Sequence, residues 1–446
     1  MNHILHYVFL TAFITTWFVV GYQFILFLAG QVLLRKAMRE RKDPLNVPDL
    51  PHVTILIPAH NEERVIERTV RCLLALDYPV DRLDILVIDD ASTDTTPQVL
   101  DRLAVEDRRV RVLHRVKPEG GRGKAAALNA ALLMTENEFI AIYDADNCPE
   151  PDALKSLVAQ FRRRPELGAV MGRFRTGNRK QNLLTRFINI EGLGFQGIMQ
   201  AGRWQLLGIS SLSGTNYVIR HSALDHIGGW DVEALAEDAE LSVRMYQYGY
   251  RIAFMPNSVS WEQEPETLRV WLKQRTRWAR GNNYAIAKLA RTFFQSRSIL
   301  YALEMLFMLC VPYLLLFAIV TSQIVCVSGL INPNLDIFNG IPTQYWILGI
   351  IVYYIEIMFA LAYDGEDTFS NMMLTVVMYF TYCQIWPLTI IRGFIADVIQ
   401  RKNHDWDKTI RFETEIEQRE GQIVGSADGT RAPASEASQP AEVRES

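Results

Sequence analysis

Acidic residues gather at a few points in the middle of this 446-residue chain. Pro58-Ala-His-Asn-Glu-Glu63, Asp89-Asp-Ala-Ser-Thr-Asp94 and Asp144-Ala-Asp146 each follow a short β-rich run. One acidic turn would be ordinary, since Asp and Ser cap helices, as Ser92 and Asp94 suit. Three such ends on one edge are harder to assign to capping. Asp144 and Asp146 are two positions apart, so in an extended segment their side chains share a face. Two hard carboxylates there suit Mg2+ or Mn2+, with diphosphate oxygens completing the shell and the ion neutralising charge on a departing diphosphate.

Further along, Glu237-Asp238 opens a helical pattern over 239–248. Asp238 suits the N-cap of that helix, and the Glu-Asp pair also suits a first helical turn, where carboxylates are favoured. Gln274, Arg277 and Trp278 stand at i, i+3 and i+4, on one helix face. Arg and Trp together line sugar sites through anion contacts and stacking, and also anchor interfacial helices, as Trp271 and Trp278 would. Arg122 and Lys124 follow Gly120-Gly121 and precede an Ala-rich helix, a pattern for a phosphate loop or for a solvated turn. The stretch 189–204, rich in Gly and aromatic residues, faces an acceptor or fills a core. His60, His114, His221 and His226 have no metal spacing.

The elements that must hold these groups alternate. Strands are expected at Val53–Ile57, Asp84–Ile88, Arg109–His114 and Glu138–Tyr143, with helices at Glu62–Leu76, Thr95–Val105 and Lys124–Thr135. Such alternation predicts an α/β, mostly parallel sheet covered on both faces, with ligands beyond the carboxyl ends of its strands.

Around this domain the chain is apolar. Hydrophobic residues make up 49% and charged ones 22%, but they are segregated. A nearly uncharged run over about 5–34 is long enough to cross a bilayer and lacks the basic start of a signal peptide. Arg35, Lys36, Arg39, Arg41 and Lys42 follow it and place the central region in the cytoplasm. Further crossings are expected at Tyr301–Val327, Tyr345–Tyr363 and Asn371–Ile391, with Pro312 and Pro387 as kink points. Glu304 lies near the edge of its run, whereas Glu356 lies well inside and must face protein or a wet cavity. Four crossings put the C-terminus outside, whereas Arg392, Arg401 and Lys402 favour inside; an interfacial or re-entrant helix would reconcile the two. The division is thus 1–42 membrane helix and basic flank, 43–265 cytoplasmic domain, 266–299 interfacial helices, 300–399 membrane helices, and a polar, disordered tail at 400–446. A net charge of −4 argues against nucleic-acid binding, and five scattered cysteines without a C-x-x-C pair indicate neither a zinc site nor a disulfide framework.

Taken in order, Asp89-Asp90, Asp144-x-Asp146, Glu237-Asp238 and Gln274-x-x-Arg277-Trp278 resemble the motifs of processive family 2 glycosyltransferases, the group of cellulose, chitin, hyaluronan and poly-N-acetylglucosamine synthases. The resemblance covers about 50–290 and implies a Rossmann-like GT-A domain. It implies nucleotide-sugar contacts at Pro58, Ala59, Asn61, Glu62, Asp90 and Lys124, with Asp144 and Asp146 on the diphosphate and on Mg2+ or Mn2+. It implies Asp238 as catalytic base, and Ser213, Gly214, Thr215, Glu237, Gln274, Arg277 and Trp278 around the acceptor and diphosphate. The family usually has Thr before the Glu-Asp pair; here Ala236 stands there.

The implied activity is inverting transfer from a UDP-sugar to a growing β-linked polysaccharide, exported through the membrane helices, with export or regulatory proteins as possible partners. Single addition to a lipid-linked acceptor uses the same site. A noncatalytic sugar-nucleotide-binding membrane protein is the third reading, and the intact acidic set argues against it.

Overall fold

The computed structural model describes residues 2–40, 49–331 and 344–399. The tail expected at 400–446 lies outside them. Helix α1 (Asn2–Glu40) leads into a domain ordered β1 (Val53–Ala59), α2 (Ile66–Leu74), β2 (Leu83–Asp90), α3 (Thr96–Glu106), β3 (Val110–Arg115), α4 (Lys124–Leu132) and β4 (Phe139–Ile142). It continues through β5 (Cys148–Pro149), α5 (Ala153–Arg163), β6 (Leu167–Thr176), α6 (Leu183–Gly194), a π-helical turn (Phe195–Gln200), α7 (Ala201–Leu207), β7 (Tyr217–Arg220), α8 (His221–Ile227), α9 (Glu237–Gln247) and β8 (Arg251–Glu262). Then come α10 (Leu268–Thr292), α11 (Ile299–Ile331), α12 (Gln344–Tyr363), α13 (Phe369–Phe380) and α14 (Tyr382–Ile399).

The eight strands form one sheet in the order β3-β2-β1-β4-β7-β6-β8-β5. The expected first four strands are parallel, whereas β7 runs antiparallel to both β4 and β6. Strand β1 is buried along its whole length, because both faces are covered. On one face Ile55, Ile57, Ile85 and Val87 pack with α2, α3 and α5 through Val70, Leu100 and Leu157. On the other, Leu56, Leu86 and Ile88 join α4, α9 and α10 through Leu128, Leu241 and Ala285. That second core continues into Ala302, Met305 and Leu309 of α11, so sheet and first downstream apolar helix share one hydrophobic interior.

By length and composition, α1 and α11 can each cross a membrane. At 39 residues, α1 is about 58 Å long, roughly twice a hydrocarbon core. Its C-terminal part packs on the α/β domain instead. A Cβ on Gly202 of α7 would stand 2.2 Å from the Leu26 carbonyl oxygen, and one on Gly30 would stand 2.7 Å from that of Gly197. Small residues therefore let the helices meet backbone to backbone. Of the two carboxylates within the apolar helices α11 and α12, Glu356 faces protein, as expected, and Glu304 does so too. Glu304 accepts from the Tyr22 hydroxyl at 2.5 Å and pairs with Arg203, and Glu356 accepts from Gln23 at 2.8 Å.

Two expectations are corrected. The run Asn371–Ile391 is not one straight crossing: α13 and α14 meet at a 44° bend at Thr381, ahead of Pro387, which lies inside α14. Both ends of the pair are tied to the α/β domain and α10, since Arg186 donates to Ser370 and Asn371, while Arg280 and Asn283 donate to Asp397. The loop before α13 is held there too, because Asp364 pairs with Arg173 and Glu366 with Arg179. Second, Cys72 and Cys148 are joined by a disulfide between α2 and β5. They are 76 residues apart, and only the packing of α2 against the strand after Asp146 brings them together, which spacing alone does not reveal.

Candidate active site

A cavity of about 530 Å3 opens where β1 and β4 end, and extends to α11 and α14. At one end it is lined by Pro58, Glu62, Lys124, Asp144 and Asp146; at the other by Met308, Leu309, Pro312, Tyr313, Trp386 and Ile390. Ser213, Gly214, Glu237, Asp238, Gln274, Arg277 and Trp278 line the middle. Twelve of the residues expected at the site therefore meet in one space. Ala59, Asn61, Asp90 and Thr215 stand behind it.

Lys124 is the hub of the polar end. Its ammonium lies 2.6 Å from an Asp144 oxygen and 3.1 Å from Glu237, and donates to the Gly214 carbonyl at 2.7 Å. Burial opposes its charge, but Asp144 and Glu237 hold it well above the usual lysine range. The solvated-turn reading of this residue does not hold. Gly123, just before it, has φ +104°, and Gly120 leaves no room for a Cβ beside the Arg115 backbone, so the loop needs both glycines.

Asp144 and Asp146 are arranged differently from the extended pair expected. They sit in a turn closed by the Asn147 amide on the Asp144 carbonyl. Asp144 turns to Lys124, while Asp146 accepts from the Gln263 amide at 3.1 Å and is almost fully buried. Thr215 braces this turn: its hydroxyl bonds Asn147 and accepts from the Asp144 amide at 3.1 Å. Among the described residues, no group of three or more His, Cys, Asp or Glu forms a metal site. The hard oxygens of Asp144 and Asp146 fit Mg2+ or Mn2+, with most of the coordination shell left to nucleotide oxygens and water.

Asp238 lies in the first turn of α9 but does not cap it; the N-cap is Ala236. Its carboxyl is pushed up to about 6, by burial first and by the neighbouring Glu237 next, against the pull of Lys124 and Arg277. A Cβ on Gly214 (φ +81°) would stand 3.5 Å from the Asp238 carboxylate and 3.6 Å from the Lys124 ammonium. The substitution at Ala236 has a steric counterpart, because a Cβ on Gly281 of α10 would stand 2.3 Å from the Ala236 Cβ.

Sequence reasoning missed several groups, among them the partners of the expected Asp89-Asp90 pair. Asp89 is held by His114 at 2.9 Å, and the fully buried Asp90 pairs with Arg115 at 2.5 Å. The second Asp90 oxygen has no partner among the described residues, leaving an acceptor at the end of β2. Glu191 of α6, Phe195 of the π-helical turn and Arg275 of α10 line the cavity. The run 189–204 is divided, since Glu191 and Phe195 face the cavity while Gly197 and Gly202 pack inward. A repeated helix–helix contact leaves no local motif, so only the glycines there carried a signal.

The family described as "Glycosyltransferase like family 2" matches residues 51–281. The chain is 38% identical to the probable glycosyltransferase YdaM of Bacillus subtilis (strain 168), over 82% of this chain and 88% of that protein. It is 33% identical to a beta-monoglucosyldiacylglycerol synthase of Synechocystis sp. (strain ATCC 27184 / PCC 6803 / Kazusa), over 56% of this chain and 52% of that protein. It is 31% identical to a poly-beta-1,6-N-acetyl-D-glucosamine synthase of Staphylococcus aureus (strain COL), over 57% and 60% respectively. The chain thus spans little more than half the length of these last two. Among solved structures, a mannosyltransferase from Pyrobaculum calidifontis in complex with GDP-Man and Mn2+ shares the fold, with a TM-score of 0.58 at 21% identity over 89% of this chain and 100% of that one.

Proposed function

The chain belongs to glycosyltransferase family 2, and from that premise we propose that it moves a sugar, with inversion, from a UDP-sugar to an acceptor hydroxyl arriving from the membrane side. The observation that carries this is the single cavity joining Asp144 and Asp238 to Pro312 and Trp386. Asp238 takes the acceptor proton as its oxygen attacks the anomeric carbon; the bond to the nucleoside diphosphate breaks on the opposite face. Asp238 at about 6 is largely ionised near neutrality yet basic enough to accept a proton. Arg277, which donates to the Leu235 carbonyl at 3.0 Å, and Lys124 are placed to meet charge on the leaving diphosphate. Asp144 and Asp146 would hold a divalent cation, which supplies further neutralisation of that charge. The unpartnered Asp90 oxygen would accept from the nucleobase or ribose.

A growing β-linked polysaccharide is the acceptor favoured by the complete Gln274-x-x-Arg277-Trp278 motif and by similarity to the poly-beta-1,6-N-acetyl-D-glucosamine synthase. Export would follow the path between α11 and α14. A lipid acceptor is the second reading, favoured by the aliphatic lining from Leu309 and Ile390 and by similarity to the glucolipid synthase. We further propose three crossings, α1, α11 and α12, with α13 and α14 along the inner interface. The ion pairs of Asp364 and Glu366 with the α/β domain and of Asp397 with α10 support this, and it puts Arg392 and the C-terminus inside.

Membranes carrying the protein, given radiolabelled UDP-N-acetylglucosamine or UDP-glucose with Mg2+ or Mn2+, decide between acceptors. High-molecular-weight product supports polymer synthesis, and a single labelled lipid supports the second reading. Nucleotide binding without incorporation from any donor would sink both.

A further inference from the structure

Arg275 is the least exposed charged group of the α10 motif, at 2%. Its guanidinium carbon lies 3.9 Å from the centre of the Trp278 ring, 5.5 Å from Trp386 and 5.9 Å from Trp271. A buried cation needs a partner, and a polar chain from three helices supplies it. Glu191 of α6 pairs with Arg275 at 3.1 Å and accepts from the Tyr382 hydroxyl of α14 at 2.5 Å. Tyr382 in turn accepts from the Trp271 indole at 2.9 Å, and Gln274 accepts from Arg275 at 3.3 Å. Trp278 itself is 38% exposed and lines the cavity. One part of this indole is thus clamped by a planar cation while another faces the space where an acceptor must sit.

We propose that Arg275, fixed by Glu191 and Tyr382, is a positioning residue that holds the Trp278 indole as a platform for the acceptor's terminal sugar. The proposal rests on the reading that Trp278 meets the acceptor. An unclamped tryptophan must be ordered when sugar binds, and that ordering costs affinity; a ring already fixed avoids the cost. Lysine cannot replace arginine here, because an ammonium lacks the planar face that stacks on the ring and the fork that reaches Glu191 and Gln274 together. The clamp also couples α10 to the bend before α14, since Tyr382 is the first residue after Thr381.

The test uses the full-length protein in lipid, with acceptor and donor KM measured separately for Arg275→Lys, Trp278→Ala and the double variant. Trp278→Ala is expected to raise acceptor KM about tenfold, and Arg275→Lys to raise it about fivefold, each with donor KM within about twofold. In the Trp278→Ala background, Arg275→Lys is expected to add nothing to acceptor KM. Indole emission of Arg275→Lys should shift to the red, and the shift should vanish in the double variant. Glu191→Gln, which keeps the shape but removes the charge, serves as a second variant and should give a weaker form of the same pattern. Equal effects of Arg275→Lys with and without Trp278, or a parallel rise in donor KM, would overturn the proposal. If Trp278→Ala leaves acceptor KM unchanged while the red shift is still seen, the clamp exists but the acceptor reading fails, and the platform role falls with it.

Discussion

At the end of the cavity nearest β1 and β4, charged groups sit on strand termini and loops of a continuous α/β core. At the other end, the lining comes from α6, α10, α11 and α14, which no sheet connects. Polar contacts hold the first end: Lys124 ties together Asp144, Glu237 and Gly214 across three segments. Close helix crossings and a buried cation hold the second, with Arg275 among three tryptophans and Gly393 of α14 against Ala279 of α10. The end nearest the sheet, proposed for the nucleotide, is thus placed by the sheet's backbone hydrogen bonding, and the end proposed for the acceptor by side-chain size and helix packing. Changes at one end should therefore leave the binding function of the other largely intact.

The strongest way to break this separation is at the helix crossing. Gly202→Val puts side-chain atoms into the Leu26 backbone, where even a Cβ stands at 2.2 Å, and neither helix can yield without losing its contacts. Transfer should fall by at least about tenfold and melting in detergent should drop, at a destabilisation of about 1–3 kcal/mol. Nucleotide affinity of the protein that remains folded should stay within about twofold. At the other end, Asp144→Asn removes the charge facing Lys124. Nucleotide-sugar affinity measured by calorimetry with Mn2+ should weaken about 10–100-fold, the scale of a lost charged hydrogen bond, with acceptor KM little changed. A matched loss of both affinities in either variant would show that the ends are not separable.

The smallest effect sharpens the electrostatics between them. Because the Asp238 carboxyl is raised to about 6, it is protonated below that pH and cannot accept the acceptor proton. The transfer rate should rise with pH through about 6 and level off above it. Glu237 pushes the Asp238 carboxyl up, so Glu237→Gln should move this limb to lower pH, by less than about one unit. A limb that stays in place would mean that another group controls the profile.

How much of this could be read in the sequence follows the same division. The strands β1 to β4 were legible because each is a short apolar run ending in a polar turn, and Asp90, Lys124 and Asp144 stand at those ends or just inside the next helix, while Asp238 opens the later α9. The turn that separates the two carboxylates was not legible, because an Asp-x-Asp spacing fits an extended strand as well as a closed turn. The antiparallel β7 was also hidden, since strand direction leaves no mark in four residues. Apolar runs marked α11 and α12 well. They did not reveal that the C-terminal part of α1 packs on α7, nor the break at Thr381. Glu191 and Arg275 carry no motif, and their pairing depends on α6 and α10 meeting across 84 positions.

The central claim is that Asp238 is the base of an intact donor site. It is tested most directly by measuring transfer and UDP-sugar binding side by side in Asp238→Asn, with the protein in lipid. The account predicts transfer reduced about 10²–10⁴-fold at pH 7.5 or above, with donor affinity within about threefold of the unaltered chain. Transfer retained at more than about half would contradict it, because the proton would then have another acceptor.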